Sequence, residues 1–260
     1  AIFLIDGIRI SDSYTGYGRD TVDVDLLKKV EIMKGPSSVE YGSDGLAGTI
    51  AYFTKDPEDL VKDGKFMSIT TSYIEKNKQE KVNLLAAYDK ESTSGLIQLV
   101  DRSLEETKLH KDFSLKANPM EGDQQSIFGK LNIELPNESK LTFVADLQEW
   151  ESEWVINSEQ GFIYFPTPRS ISSSSGDDEG SRERFSISLN LSNTNALYDS
   201  AEVSYYTQET EQSQITVQNQ VSFFGGMQAP PTPTMRIRDF DFNQSIDGFS
   251  FEAYKSSGDY

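Results

Sequence analysis

The chain has no cysteine and one histidine, His110, among 260 residues. Without thiols there is no disulfide framework, no thiolate zinc site and no cysteine nucleophile. The lone histidine has no serine and aspartate arrangement around it, and the carboxylates show no glycosidase-like pairing, so nothing argues for an enzyme or a catalytic residue. Basic residues are scarce as well: 24 Lys and Arg face 42 Asp and Glu, a net charge of -18 that repels phosphates and excludes a nucleic-acid partner. No apolar run approaches the roughly 20 residues of a membrane helix. The opening "AIFLIDG" lacks the basic region and cleavage site of a signal peptide.

A transmembrane β-barrel escapes that helical criterion. Its strands alternate lipid-facing with lumen-facing residues, so a mean hydropathy of -0.51 excludes nothing. The chain has this period of two. Phe185, Ile187, Leu189 and Leu191 alternate with Ser186, Ser188 and Asn190. Ile127, Leu131 and Ile133 alternate with Phe128, Lys130 and Asn132, and Leu141, Phe143 and Leu147 with Lys140, Thr142 and Asp146. Strands are expected over 66–74, 81–89, 96–102, 126–135, 140–150, 184–192 and 201–207, with a ragged eighth after Asp239.

The links between them differ in length. Three are tight: "KESTSG" (Lys90 to Gly95), "PNES" (Pro136 to Ser139) and "NTNALYDS" (Asn193 to Ser200). Three are long, over 103–125, 151–183 and 208–238, and each follows a tight one. An up-and-down meander then carries short turns on one rim and long loops on the other, the asymmetry of outer-membrane barrels. A soluble β-sandwich shares the period but not this asymmetry. Trp150, at the end of a strand, is expected in an interfacial aromatic girdle. The run "SSSSGDDEG" (Ser172 to Gly180) reads as low-complexity loop, and Asp177, Asp178 and Glu179 lack the ordered spacing of a calcium site.

Residues 1–59 do not alternate in this way. Ile2–Ile5 and Val30–Met33 read as short strands joined through a helical "DVDLLKKV", a block of βαβ character. The glycines of "MKGPSSVEYGSDGLAG" are turn residues, because no Gly-Lys-Ser/Thr follows to make a phosphate cradle.

"FLIDGIRI" (Phe3 to Ile10) and "LLKKVEIMKGPSSVEYGSDGLAGTIAYFTKD" (Leu26 to Asp56) together resemble the second half of the plug domain of TonB-dependent outer-membrane receptors. The shared features are a strand ending in Asp-Gly, a Val-Glu strand running into a basic residue and Gly-Pro-Ser, then Tyr-Gly and an Ala-Gly step. The resemblance implies a mainly β chain: the C-terminal half of an α+β plug over 1–59, then over 60–260 the first eight or so strands of a large antiparallel transmembrane β-barrel. It also implies a place in the outer membrane among its lipids, and coupling to TonB. A complete barrel of that kind closes roughly 22 strands, so the chain is expected to be a fragment that omits the TonB-contact segment.

"FTKDPEDLVKDGK" (Phe53 to Lys65), "KANPMEGDQQSIFGKLNIEL" (Lys116 to Leu135) and "SRERFSISLNL" (Ser181 to Leu191) resemble haem and haemoglobin receptors within that family. The transported ligand so implied is haem, with a ferric siderophore as the alternative; a passive porin or adhesin would leave the plug motif unexplained. Where the haem branch presents a plug histidine, "DSYTGYGRD" has Tyr17. Tyr17 is open to three readings: a phenolate ligand to ferric haem, a stacking residue or an ordinary loop tyrosine. Tyr14 is a second candidate, and His110, in a long link, is the one imidazole available. Arg9 and Lys34 resemble basic plug positions that pair with carboxylates on the inner barrel wall.

Overall fold

The computed structural model describes residues 2–10, 22–35, 48–110, 112, 116–192, 197–228 and 230–255. These residues form two sheets. The smaller contains β1 (Ile2–Ile5), β2 (Ile8–Arg9), β3 (Leu27–Met33) and β4 (Thr49–Thr54) in the order β2-β1-β4-β3. β1 and β4 run parallel, and the other pairs are antiparallel.

The helical expectation over Asp23–Val30 fails beyond Leu26. Only Val24–Leu26 turns, as a 3-10 segment whose cap, Asp23, accepts a hydrogen bond from the Asp25 amide at 2.9 Å. From Leu27 onward the ladder with β4 supplies backbone partners that a lone helical turn lacks. β4 itself, "TIAYFT", has the β-branched and aromatic composition of a strand and lies between the two expected ones. Gly48, just before it, has φ of 106°, and a Cβ there would lie 2.4 Å from the Met33 carbonyl oxygen, so only glycine fits. Gly42 and Gly45 lie outside the described residues.

The larger sheet is an antiparallel meander of eight strands: β5 (Gly64–Ile74), β6 (Gln79–Lys90), β7 (Thr93–Glu105), β8 (Met120–Leu135), β9 (Ser139–Val155), β11 (Arg169–Leu191), β12 (Ser200–Ser222) and β13 (Thr232–Tyr254). The short β10 (Gly161–Ile163) pairs with the start of β11. A one-turn helix α1 (Pro57–Leu60) lies between the two sheets in sequence.

The strands from β8 onward outgrow their expected bounds chiefly on the rim of the long links. β11, β12 and β13 have 23 residues each, about 75 Å at the usual rise, three times the height of a typical lipid-facing band. Their lower halves carry the alternation, and their upper halves are mostly polar, with apolar side chains such as Ile215, Val217, Ile237 and Phe240 among them. Ser172–Gly180, expected as loop, is therefore strand: past a bulge at Ser172, β12 pairs residue for residue with Ser173–Gly180, and the Asn219 side chain donates to Ser173 Oγ at 3.0 Å. Asp177, Asp178 and Glu179 consequently alternate between faces and do not converge.

Register fixes which face each side chain takes. Met67, Ile69, Leu84, Ile97, Ile127 and Phe185 lie outward in one apolar band, with Met67 80% exposed. The even-numbered neighbours on β7, β8, β9 and β11 face inward. Trp150, expected in an outer girdle, shares the parity of Asp146 and Gln148 and faces inward. It lies opposite Gly180, where a Cβ would stand 2.4 Å from its ring.

Candidate functional site

The small sheet docks on the concave, inward face of the meander, and the contact is built around Leu26. This side chain is 1% exposed and joins a cluster with Leu85, Ala87, Leu96, Val100, Phe128 and Val144 of the wall. Leu60, Val61 and Phe66 pack against the same cluster. Apolar burial drives the contact, and charges flank it on both sides.

On one side stand Asp23 and Asp25, presented by the 3-10 turn. The Asp23 carboxylate accepts from Arg102 Nη2 at 3.0 Å and from Ser126 Oγ at 3.0 Å. The Asp25 carboxylate accepts from Lys81 Nζ at 2.9 Å and from Arg102 Nη2 at 2.9 Å, while its carbonyl accepts from Gln98 Nε2 at 2.9 Å. On the other side stand Asp56 and Glu58, at the start of α1. Lys130 Nζ donates to Asp56 at 2.9 Å, and Lys28 of the small sheet binds the same carboxylate. Glu58 accepts from Ser94 Oγ at 2.7 Å, Asn132 Nδ2 at 2.9 Å and Lys140 Nζ at 3.0 Å.

These partners shift the titration of the docked carboxyls. Burial acts against the Asp56 carboxylate, but the Lys130 charge and hydrogen bonds from Lys28 and Lys130 outweigh it and hold its pKa below the ordinary value. Glu58 is likewise held low: burial opposes, and the hydrogen bonds from Ser94, its own backbone, Lys140 and Asn132 prevail. For Lys28, burial is outweighed by Asp56 and Asp59, which raise its pKa. Lys55, whose ammonium donates to the Asp25 carbonyl, is lowered, chiefly by burial.

A third contact lies at the β1–β2 turn. Asp6 has φ of 48° and Gly7 of 80°, the paired left-handed geometry of a tight hairpin. The Asp6 side chain braces β4, accepting from the Thr54 amide at 2.9 Å and the Thr54 hydroxyl at 2.7 Å. Arg184 of the wall donates through Nη1 to the Ile5 carbonyl at 2.8 Å and lies 3.5 Å from Asp6. Arg184 and its neighbour Arg182, both fully buried, share the buried Asp146, at 3.2 and 3.5 Å.

The ion pairs that hold the sheets together thus set carboxylates of the small sheet and α1 on cations of the wall. Sequence reasoning also expects Arg9 and Lys34 to pair with carboxylates on the inner barrel wall. Arg9 ends β2 and Lys34 follows β3, both exposed, and Arg9 has a bonding partner of its own. His110 lies in the β7–β8 link on the long-strand rim, exposed, with Nδ1 3.4 Å from Asp112. Tyr14 and Tyr17 lie outside the described residues.

Residues 1–49 match the family described as the TonB-dependent receptor plug domain. Lactoferrin-binding protein A of Neisseria meningitidis is 33% identical over 119 residues, 42% of this chain and 13% of that protein. Hemoglobin-binding protein A of Haemophilus influenzae is 28% identical over 173 residues, 57% of this chain and 17% of that protein. Among solved structures, the FrpB iron transporter of Neisseria meningitidis superposes with a TM-score of 0.68 at 13% identity, over 96% of this chain and 41% of that one. The chain thus carries, over residues 1–49, a plug domain of the TonB-dependent receptor kind. It spans less than a fifth of the length of those curated relatives.

In a TonB-dependent receptor the small sheet is plug and the meander is barrel wall, so the outward apolar band lies in the outer membrane. No helix among the described residues is long and apolar enough to cross a membrane; the receptor's strands cross instead.

Proposed function

We propose that the receptor carries haem, taken from haemoglobin or another haem protein, across the outer membrane, with TonB supplying the drive. The observation that supports the cargo is the alignment with Hemoglobin-binding protein A. Its 173 residues are too many to lie within the plug alone, so the likeness extends into the wall. The docked plug suits such a role. Its contacts are ion pairs and one small apolar cluster, firm enough to close a lumen and divisible enough to yield to a pull.

Within this reading Tyr17, with Tyr14 beside it in sequence, is the plug's contact to haem, and His110 on the long-strand rim is an outer contact. The test is growth. The full-length gene, expressed in an iron-starved strain lacking its own haem receptors, should permit growth on haem or haemoglobin as sole iron source. Growth on a ferric siderophore but on neither haem source would replace haem with the siderophore.

A further inference from the structure

Trp150 and Trp154 face the lumen from the upper part of β9, the two tryptophans of the chain. Each stands opposite a glycine of β11, Trp150 at Gly180 and Trp154 at Gly176. A Cβ on Gly180 would lie 2.4 Å from Trp150 Cζ2, so this indole lies against bare backbone with its other face turned away from the strand. On the β8 side Gly122 again omits a side chain, beside Met120 and Ser152. The Trp154 indole donates to Ser152 Oγ at 2.9 Å, which satisfies its one polar atom.

Tyr88 over Gly95 and Tyr206 over Gly248 use the same aromatic-on-glycine device, which pins register. The tryptophans border a hollow of about 280 Å³ between wall and plug, lined also by Leu104, Met120 and Gln124 of the wall and Val22 of the plug. Both indoles are half-buried. The cavity is too small for a whole drug-sized ligand, and of a size for one ring of a larger flat one.

The geometry points to a stacking shelf, Trp150 with Trp154, for the flat conjugated face of a ligand entering above the plug. This deepens the proposed haem function and rests on its placing of the cargo in the lumen. A porphyrin offers such a face, and so does a ferric catecholate. An indole held flat by a neighbouring glycine is pre-ordered for stacking, so little freedom is lost on binding.

The purified full-length receptor, titrated separately with metal-free protoporphyrin IX and with ferric tris-catecholate, tests this through each probe's own absorbance. Protoporphyrin has no iron, so axial ligation does not contribute. Trp150→Leu and Trp154→Leu should each weaken porphyrin binding about tenfold, whereas Trp150→Phe, which keeps a flat ring, should retain most of it. Heat-modifiable migration on gels reports folding, and if Trp150→Leu fails to fold, Trp154→Leu and Trp150→Phe decide. Tryptophan-dependent binding of the catecholate alone would keep the shelf and overturn haem. Affinities unchanged by the substitutions, or no binding of either probe by the wild type, would overturn the shelf; growth on haem beside that result would leave the haem reading standing.

Discussion

Arg184 of the barrel wall donates to the carbonyl oxygen of Ile5 in the plug at 2.8 Å, joining residues 179 apart in sequence. The same guanidinium lies 3.2 Å from Asp146, which is 1% exposed. Its removal breaks a tie between domains and weakens the partnering of a buried carboxylate. Arg184→Gln should lower the stability of the full-length receptor by about 3–5 kcal/mol, the usual cost of breaking a buried pair from one side. Denaturant unfolding measures the loss, and protease cutting within residues 1–59 should appear at lower denaturant.

Leu26 is the apolar centre of the docking surface. Leu26→Ala removes its contacts with Phe128, Leu96 and Val144 and should cost about 2–5 kcal/mol. Trypsin cutting of the plug in intact outer membranes should then accelerate, with the barrel still migrating as a folded species.

The charge pairs give docking a pH dependence. Asp56 and Glu58 have docked pKa values below their ordinary 3.8 and 4.5, so their stabilisation is complete above those values and disappears as pH falls through the lowered ones. Lys28 is raised, so its contribution is present below 10.5 and is lost as pH rises through the raised value. Plug protection should fall on the acid side, below about pH 5, as Asp56 and Glu58 take up protons. Asp56→Asn with Glu58→Gln should flatten the acid limb in the same protease assay.

Above the apolar band the outward face sets like charges side by side: Glu151 stands opposite Asp123 on β8 and Glu179 on β11. Like charges directly across a ladder oppose pairing. Glu151→Gln should therefore raise the melting temperature at low salt, by an amount corresponding to about 0.5 kcal/mol. The gain should shrink as salt shortens the screening length to roughly 8 Å.

Much of this fold is visible in the sequence where one face differs from the other. Phe185, Ile187 and Leu189 against Ser186 and Ser188 announce a strand. Ser173, Asp177 and Gln212 announce nothing, because in the upper halves of β11 and β12 apolar residues such as Ile171 and Ile215 are too sparse to set a period. The inward turn of Trp150 was available by parity, since Phe143, Ala145 and Leu147 face out. The docking carboxylates were not: Asp23, Asp25, Asp56 and Glu58 are four among 42 acidic residues. Their partners Arg102, Lys130 and Arg184 take inward positions by the same parity, where a cation needs a counter-charge.

The central claim is that the small sheet sits inside the curved wall, held with Asp25 against Arg102. The chain has no cysteine, so an introduced pair has no thiol of this chain to compete with. Asp25→Cys with Arg102→Cys, treated in intact outer membranes with a short reducible bis-thiosulfonate, should give an intramolecular cross-link in nearly every molecule. Ligand uptake should stop and return on reduction. Both cysteines reacting independently with a bulky water-soluble thiol reagent, with no cross-link, would contradict it.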